Sequence, residues 1–74
     1  MKKAEFEFVV NHQVEDMVLY LMEDYGMSMK EAFSKIYSSD FYLKMQNKCT
    51  GLYRYSSAYT YLLLLEELKS KVAG

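Results

Sequence analysis

The chain has 74 residues, three glycines, no proline and a formal net charge of −1 at pH 7. This length predicts one domain, 1–74, near the lower size limit at which a hydrophobic core alone stabilises a fold. Cys49 is the only cysteine and His12 the only histidine. The sequence therefore excludes an intrachain disulfide and a zinc site made of Cys and His alone.

The first predicted helix runs over 3–24, because Gly26 can adopt the left-handed conformation that ends helices. Its core-facing residues recur at helical spacing: Phe6, Val10, Val14, Met17, Leu21 and Tyr25. A second line lies on the opposite side of the helix and consists of Phe8, His12, Glu15 and Leu19. Two opposed apolar lines require cover on both sides, so this second line predicts self-association, in the form of a homodimer.

A capping box opens the second helix, because the Ser28 hydroxyl and the Glu31 carboxylate can each accept a hydrogen bond from a backbone N–H of the first turn. This pattern predicts a helix over 29–37. The residues expected to face inward are Met29, Ala32, Phe33 and Ile36.

Ser38 or Ser39 is expected to cap a third helix over 40–48. Phe41, Met45 and Cys49 form its inner stripe at helical spacing. We therefore expect Cys49 to be a small buried hydrophobic residue rather than a reactive thiol.

Residues 52–55 form a linker, after which Ser56 or Ser57 caps a last helix over 57–72. Four consecutive leucines occupy the middle of this helix. A helix that is apolar around most of its circumference is usually buried, so we expect burial to explain every leucine at 62–68. The predicted class is all-α with four helices, in a small orthogonal or bundle-like packing around the C-terminal helix.

Charge is unevenly distributed along the chain. Six acids and two lysines stand at 1–27, a net charge of −4, whereas five basic residues and two acids stand at 28–54, a net charge of +3. The two segments can complement each other within the fold or across a dimer. Alternatively, the basic segment forms a surface for a phosphate backbone or an acidic partner.

The sequence offers no arrangement typical of catalysis. Adjacent acids on a helix, such as Glu15 with Asp16 and Glu23 with Asp24, point about 100° apart and do not converge on one site. Asp16 follows His12 by one helical turn. We expect His12 to be an exposed or interface histidine without a catalytic role. We predict a non-enzymatic protein without catalytic, cofactor-binding or metal-binding residues.

Binding to DNA is an alternative function, because the helices at 28–37 and 40–49 have the lengths of a helix-turn-helix. The second of these helices would present Lys44, Gln46, Asn47 and Lys48 to bases and phosphates. Against this alternative, the turn lacks glycine and Asp40 would meet phosphates at the start of the recognition helix.

Tyrosines are concentrated in one short stretch, where Tyr53, Tyr55, Tyr59 and Tyr61 fall within nine residues. A tyrosine buries a large ring but needs a partner for its hydroxyl, so it favours boundaries and interfaces. These rings either cover a small core or form a recognition surface, to which Arg54 contributes a positive charge. The partner-binding candidates are Tyr53, Arg54, Tyr55 and Tyr59.

Three sequence motifs, Met-Ser-x-x-Glu-Ala-Phe at 27–33, Ile-Tyr-x-Ser at 36–39 and Thr-Gly-Leu-Tyr-x-x-Ser-x-x-Tyr at 50–59, follow one another along the chain. This pattern resembles short bacterial all-α proteins of unknown function that are loosely associated with genes near ADP-ribosyltransferase-like toxins. The resemblance implies a small helical accessory or antitoxin-like protein and implies no catalytic residue.

The start of the chain is charged rather than apolar, and the longest apolar run, at 61–65, is far shorter than the roughly 20 residues needed to cross a bilayer. A lone cysteine is typical of a reducing compartment. Together, these features predict a cytoplasmic bacterial homodimer that acts by binding another protein, without cofactors and without a membrane.

Overall fold

The computed structural model describes residues 2–73, and the side chains of residues 2–70. Within this range the chain forms helices and no strand. The α-helices are α1 (Lys3–Tyr25), α2 (Met29–Tyr37), α3 (Asp40–Gln46) and α4 (Ser57–Ala73), and two 3₁₀ turns, η1 (Lys48–Thr50) and η2 (Leu52–Arg54), connect α3 to α4. The predicted all-α class with four helices is confirmed.

Local capping signals set the first helix boundaries. Gly26 ends α1 in the left-handed conformation, with φ 66°, and its N–H donates to the Met22 carbonyl. The predicted capping box of α2 is present, because the Ser28 hydroxyl accepts from the Glu31 N–H at 3.1 Å and the Glu31 carboxylate accepts from the Ser28 N–H at 3.4 Å. These bonds satisfy donors that a helix start leaves unpaired.

Serine hydroxyls cap the two later helices. Ser39 accepts from the Tyr42 N–H at 3.2 Å at the start of α3. Ser56 accepts from the Tyr59 N–H at 3.3 Å, so Ser56, and not Ser57, caps α4. One hydrogen bond therefore identifies the capping serine at the start of each of these two helices.

Two predictions about the end of α3 are wrong: the helix does not reach residue 48, and Cys49 is not buried. The helix ends at Gln46 because Asn47 is extended, and the Asn47 side-chain oxygen accepts from the Cys49 N–H at 3.0 Å. This bond opens η1 and takes Cys49 off the helical stripe, so its side chain is exposed. The predicted linker at 52–55 is likewise partly regular, since η2 occupies most of it.

The core is organised around α1 rather than around the C-terminal helix. Seven residues of α1 are buried: Phe6, Val10, Gln13, Val14, Met17, Val18 and Leu21. On α4, burial among the described side chains is confined to Thr60, Tyr61 and Leu64. Leu62 is 58% exposed, so burial does not explain every leucine. A helix that packs on one side only must direct some residue of a four-leucine run outward.

Two further residues assigned to inner faces are half exposed. Tyr25 lies in the last turn of α1 and Met29 in the first turn of α2, on either side of Gly26. These two side chains lie at the margin of the packed faces, although neighbours in the same turns still pack: Asp24 accepts from the Tyr61 hydroxyl, and Ala32 is buried. The helical period alone could not show where that packing stops.

Replacement of Leu64 by alanine is expected to lower the free energy of unfolding by about 2–5 kcal/mol, because Leu64 is fully buried and the substitution leaves a cavity. The matched control is Leu62→Ala, the same change half a turn away at an exposed position. We expect that control to cost less than about 0.5 kcal/mol. Urea denaturation of both variants would measure the difference, and equal losses would contradict the assigned orientation of α4.

Candidate interaction surfaces

Gln13 fixes the tyrosine-rich segment on α1. Its side-chain amide donates to the Leu52 carbonyl at 3.0 Å and to the Tyr55 carbonyl at 2.8 Å. Gln13 is only 3% exposed, and its side-chain oxygen has no hydrogen-bond partner among the described residues. Gln13 was not among the predicted core or site residues, although a glutamine at helical spacing from Val10 and Met17 indicates that a polar group enters the core.

Two of the four clustered tyrosines pack inward: Tyr61 is part of the core and Tyr53, which is half-buried, packs against it. The ring of Tyr53 packs edge-on against Phe6, with centroids 5.2 Å apart. Tyr61 is buried, its ring lies 5.0 Å from that of Tyr20, and its hydroxyl donates to the Asp24 carboxylate at 2.8 Å. Burial, and then the contact with Asp24, raise the pKa of Tyr61 and so keep its hydroxyl protonated.

The other two tyrosines face outward and lie together. Tyr55 and Tyr59 are each about half exposed, and their ring centroids are 4.7 Å apart. Leu62 follows Tyr59 by about one helical turn, on the same exposed side of α4. We call Tyr55, Tyr59 and Leu62 the α4 strip. It differs from the predicted partner-binding set, because the half-buried Tyr53 ring packs against Phe6 and Leu62 is included.

Arg54, predicted as the cation of a recognition surface, lies on Tyr53 rather than on the exposed pair. Its guanidinium is 5.5 Å from the centre of the Tyr53 ring, and its Nε donates to the Tyr53 hydroxyl at 3.2 Å. Arg54 therefore covers the outer end of a half-buried ring. Its role in binding a partner stays a prediction.

The line predicted for self-association is exposed along the outer side of α1. Phe8 is 73% exposed and Leu19 is 56% exposed, and the side chains of His12 and Glu15 between them are also exposed. His12 Nε2 lies 3.5 Å from Asp16 Oδ2, and Asp16 in turn accepts from the Ser57 hydroxyl at 2.6 Å. We call Phe8, His12, Glu15 and Leu19 the α1 ridge.

Two of the residues predicted to contact DNA lie on different sides of α3. Lys44, Gln46, Asn47 and Lys48 are all exposed, but Lys44 and Gln46 point about 200° apart on α3. Leu43, on the same helix, is 66% exposed. Asn47 uses its side-chain oxygen to cap η1, and Lys48 Nζ lies 5.6 Å from the centre of the Phe6 ring.

The described residues hold no group of three His, Cys, Asp or Glu side chains that could bind a metal ion. A shallow open depression between α3 and α4 is lined by Phe41, Leu63 and Glu67, among others. The Glu67 carboxylate accepts from the Phe41 N–H at 3.1 Å, so it stabilises the start of α3. Glu67 therefore has a structural role beside this depression.

Compared with known proteins, the chain matches no family model, no curated protein and no solved structure. The resemblance to short bacterial proteins near toxin genes thus stays a prediction. Among the described residues, each helix is too short or too polar to cross a membrane.

Tyr53→Ala is expected to lower the free energy of unfolding by about 2 kcal/mol, because it removes a half-buried ring and its edge-on contact with Phe6. Tyr55→Ala should cost less than about 1 kcal/mol, since that ring is half exposed. Thermal and urea unfolding of the two variants would measure this. A larger loss for Tyr55 than for Tyr53 would contradict the division of the cluster.

We expect the protein not to shift mixed-sequence duplex DNA in a gel-shift titration at low salt, because its candidate contacts diverge around α3. Low salt is the stringent condition, since phosphate contacts are strongest there. A shift that disappears in the Lys44→Ala, Lys48→Ala double variant would contradict this expectation and support the helix-turn-helix alternative.

Proposed function

We propose that the protein acts without catalysis, by binding another protein through the α4 strip. The observation that carries this proposal is the contact between two exposed tyrosines, Tyr55 and Tyr59, where α4 begins, with the exposed Leu62 one helical turn beyond Tyr59. Scattered exposed leucines are normal on protein surfaces, whereas adjacent exposed aromatic and aliphatic residues are typical of an interaction site.

The backbone beneath this strip is held firmly, which favours binding. Gln13 anchors the carbonyl of Tyr55, Ser56 caps the helix that carries Tyr59, and the Ser57 hydroxyl donates to Asp16. Tyrosine also has only two side-chain torsions to the ring. A rigid surface of this kind loses little conformational entropy when a partner binds.

The spacing of the strip indicates the shape of the partner. On α4, Tyr59 and Leu62 are about one helical turn apart and the same side continues to the exposed Glu66, while Tyr55 contacts Tyr59 just before the helix begins. This arrangement fits an amphipathic helix whose apolar residues also recur every turn, with a basic residue opposite Glu66. An accessory or antitoxin-like role, in which a small protein covers a helix of a larger one, is one form of this function.

Site-specific photo-crosslinking in the cells that produce the protein would test the proposal. A benzophenone amino acid placed at Tyr59 keeps an aromatic ring at the position and is expected to give one discrete protein adduct. The matched control places the same group at Leu43, an exposed apolar residue on α3. We expect that control to give no such adduct.

A second variant links the adduct to the strip. Leu62→Glu, at an exposed position that the fold does not need, should reduce the Tyr59 adduct about tenfold or more, as loss of an interface anchor does. Equal adducts at Tyr59 and Leu43, or an adduct unaffected by Leu62→Glu, would overturn the assignment of this surface.

A further inference from the structure

The segment at 47–55 connects α3 to α4, and we call it the strap. It contains η1 and η2, and none of its residues is buried: Leu52 and Tyr53 are half-buried and pack against the core, and most of the others are exposed. Each of the four α-helices, by contrast, has two or more buried residues. Because burial supplies most of the free energy that holds a segment in place, the strap is held less strongly than the helices it joins.

Hydrogen bonds within the strap are local. The Thr50 N–H donates to the Asn47 carbonyl at 3.1 Å, and the Tyr55 N–H donates to the Leu52 carbonyl at 3.2 Å. The Thr50 hydroxyl donates to the carbonyls of Lys44 and Asn47, both at 2.8 Å. A single 3₁₀ turn fixes several backbone torsions for very few hydrogen bonds, so it does not persist by itself. The conformation of the strap therefore depends on its contacts with α1.

Gln13 supplies the main polar contact between the strap and α1, and this contact is incomplete. Its side-chain amide donates to the carbonyls of Leu52 and Tyr55, on either side of the ring contact between Phe6 and Tyr53. The side-chain oxygen of Gln13 is buried and has no hydrogen-bond partner among the described residues. A buried acceptor without a partner costs free energy, whereas water reaches the same oxygen once the strap has moved away. The closed strap thus carries a cost that opening removes.

The helices on either side of the strap do not depend on it. Asn47, where α3 ends, and Tyr55, just before α4, both have extended backbones, so no helix continues through either residue. Beyond Tyr55, the Ser57 hydroxyl donates to the Asp16 carboxylate at 2.6 Å and holds the start of α4 on α1. The strap can therefore leave α1 without either helix.

We propose that the strap opens as a local unit, leaving α1 and losing its 3₁₀ turns while the four α-helices stay folded, and that Gln13 is the latch that closes it. Opening uncovers the ring of Phe6, on which Tyr53 packs in the closed state. It also takes Tyr55 away from Tyr59. This last consequence rests on the proposed function: a partner that contacts both tyrosines binds the closed state and shifts the equilibrium toward it, so opening regulates the α4 strip.

Native-state hydrogen exchange, measured by NMR on the protein alone, tests the opening without any partner. The side-chain N–H protons of Gln13 report the latch, because their nitrogen donates to two strap carbonyls. After correction for intrinsic rates, we expect them to exchange about tenfold or more slowly than those of the exposed Gln46, and about tenfold or more faster than the backbone N–H of Leu21. Low concentrations of urea should change their rate little, because local opening exposes little surface.

Two results of that measurement would overturn the proposal. Exchange of the Gln13 side-chain protons at the corrected Leu21 rate, with the same dependence on urea, would show that the strap opens only when the whole protein unfolds. Exchange as fast as that of Gln46 would show that no latch is formed.

A matched pair of glycine variants tests whether the opening is confined to the strap. Gly51 in the strap and Gly26 at the end of α1 have left-handed backbones, with φ 70° and 66°, and an added Cβ at either position would meet no atom within 4 Å. Alanine at either position therefore adds backbone strain without a clash. Gly51→Ala is expected to speed the exchange of the Gln13 side-chain protons about fivefold or more, because opening relieves this strain.

Gly26→Ala is the control, and we expect it to leave that exchange unchanged, since residue 26 stays folded when the strap opens. Equal effects of the two variants, or no effect of Gly51→Ala, would contradict a local opening.

A second matched pair tests the latch itself. Gln13→Met keeps a side chain of similar shape but removes both donors, and it is expected to speed exchange of the Tyr55 N–H about tenfold while leaving the Ile36 N–H on α2 unchanged. Gln46→Met makes the same replacement at an exposed position of α3 and should change neither rate. An unchanged Tyr55 rate in Gln13→Met would remove Gln13 from the role of latch.

Discussion

The position of the last third of the chain depends on the two hydrogen bonds from Gln13 to the carbonyls of Leu52 and Tyr55. These bonds join residues 39 and 42 positions apart, and they lie at the buried centre of α1. Burying the N–H groups of this amide without acceptors would be costly, so the segment at 52–55 must lie against this helix. That constraint turns Tyr53 toward Phe6 and leaves Tyr55 beside Tyr59 on the surface.

Contacts farther along α1 then fix the start of α4. Asp16 accepts from the Ser57 hydroxyl, and Asp24 accepts from the Tyr61 hydroxyl. Two of the acids that make the first third of the chain so acidic are therefore bound by hydroxyl groups of α4. Charge-assisted hydrogen bonds of this kind are stronger than neutral ones, so the acidity of α1 has a structural use apart from any partner.

The sequence predicted helices well where the deciding interactions are local, and side-chain burial poorly where they are not. The capping box at Ser28 and the left-handed Gly26 act within one turn, so the starts and ends nearby were correct. The prediction for Cys49 failed because α3 ends early, where Asn47 is extended and its side-chain oxygen accepts a hydrogen bond from the Cys49 N–H. Leu62, and the contrast between Tyr53 and Tyr55, depend on which side of an element meets α1, and helical spacing alone does not contain that information.

Both long helices place one side on the core and leave apolar residues on the other, because two short helices cannot cover them. The exposed residues of the two helices differ in kind. The α1 ridge places a histidine and a glutamate between its two apolar residues, whereas the α4 strip holds only tyrosine and leucine. The strip also begins at Tyr55, before α4 starts, where Gln13 anchors the backbone to α1. Adjacent exposed aromatic and aliphatic side chains on an anchored backbone favour a partner, so we assign the binding of another protein to the α4 strip.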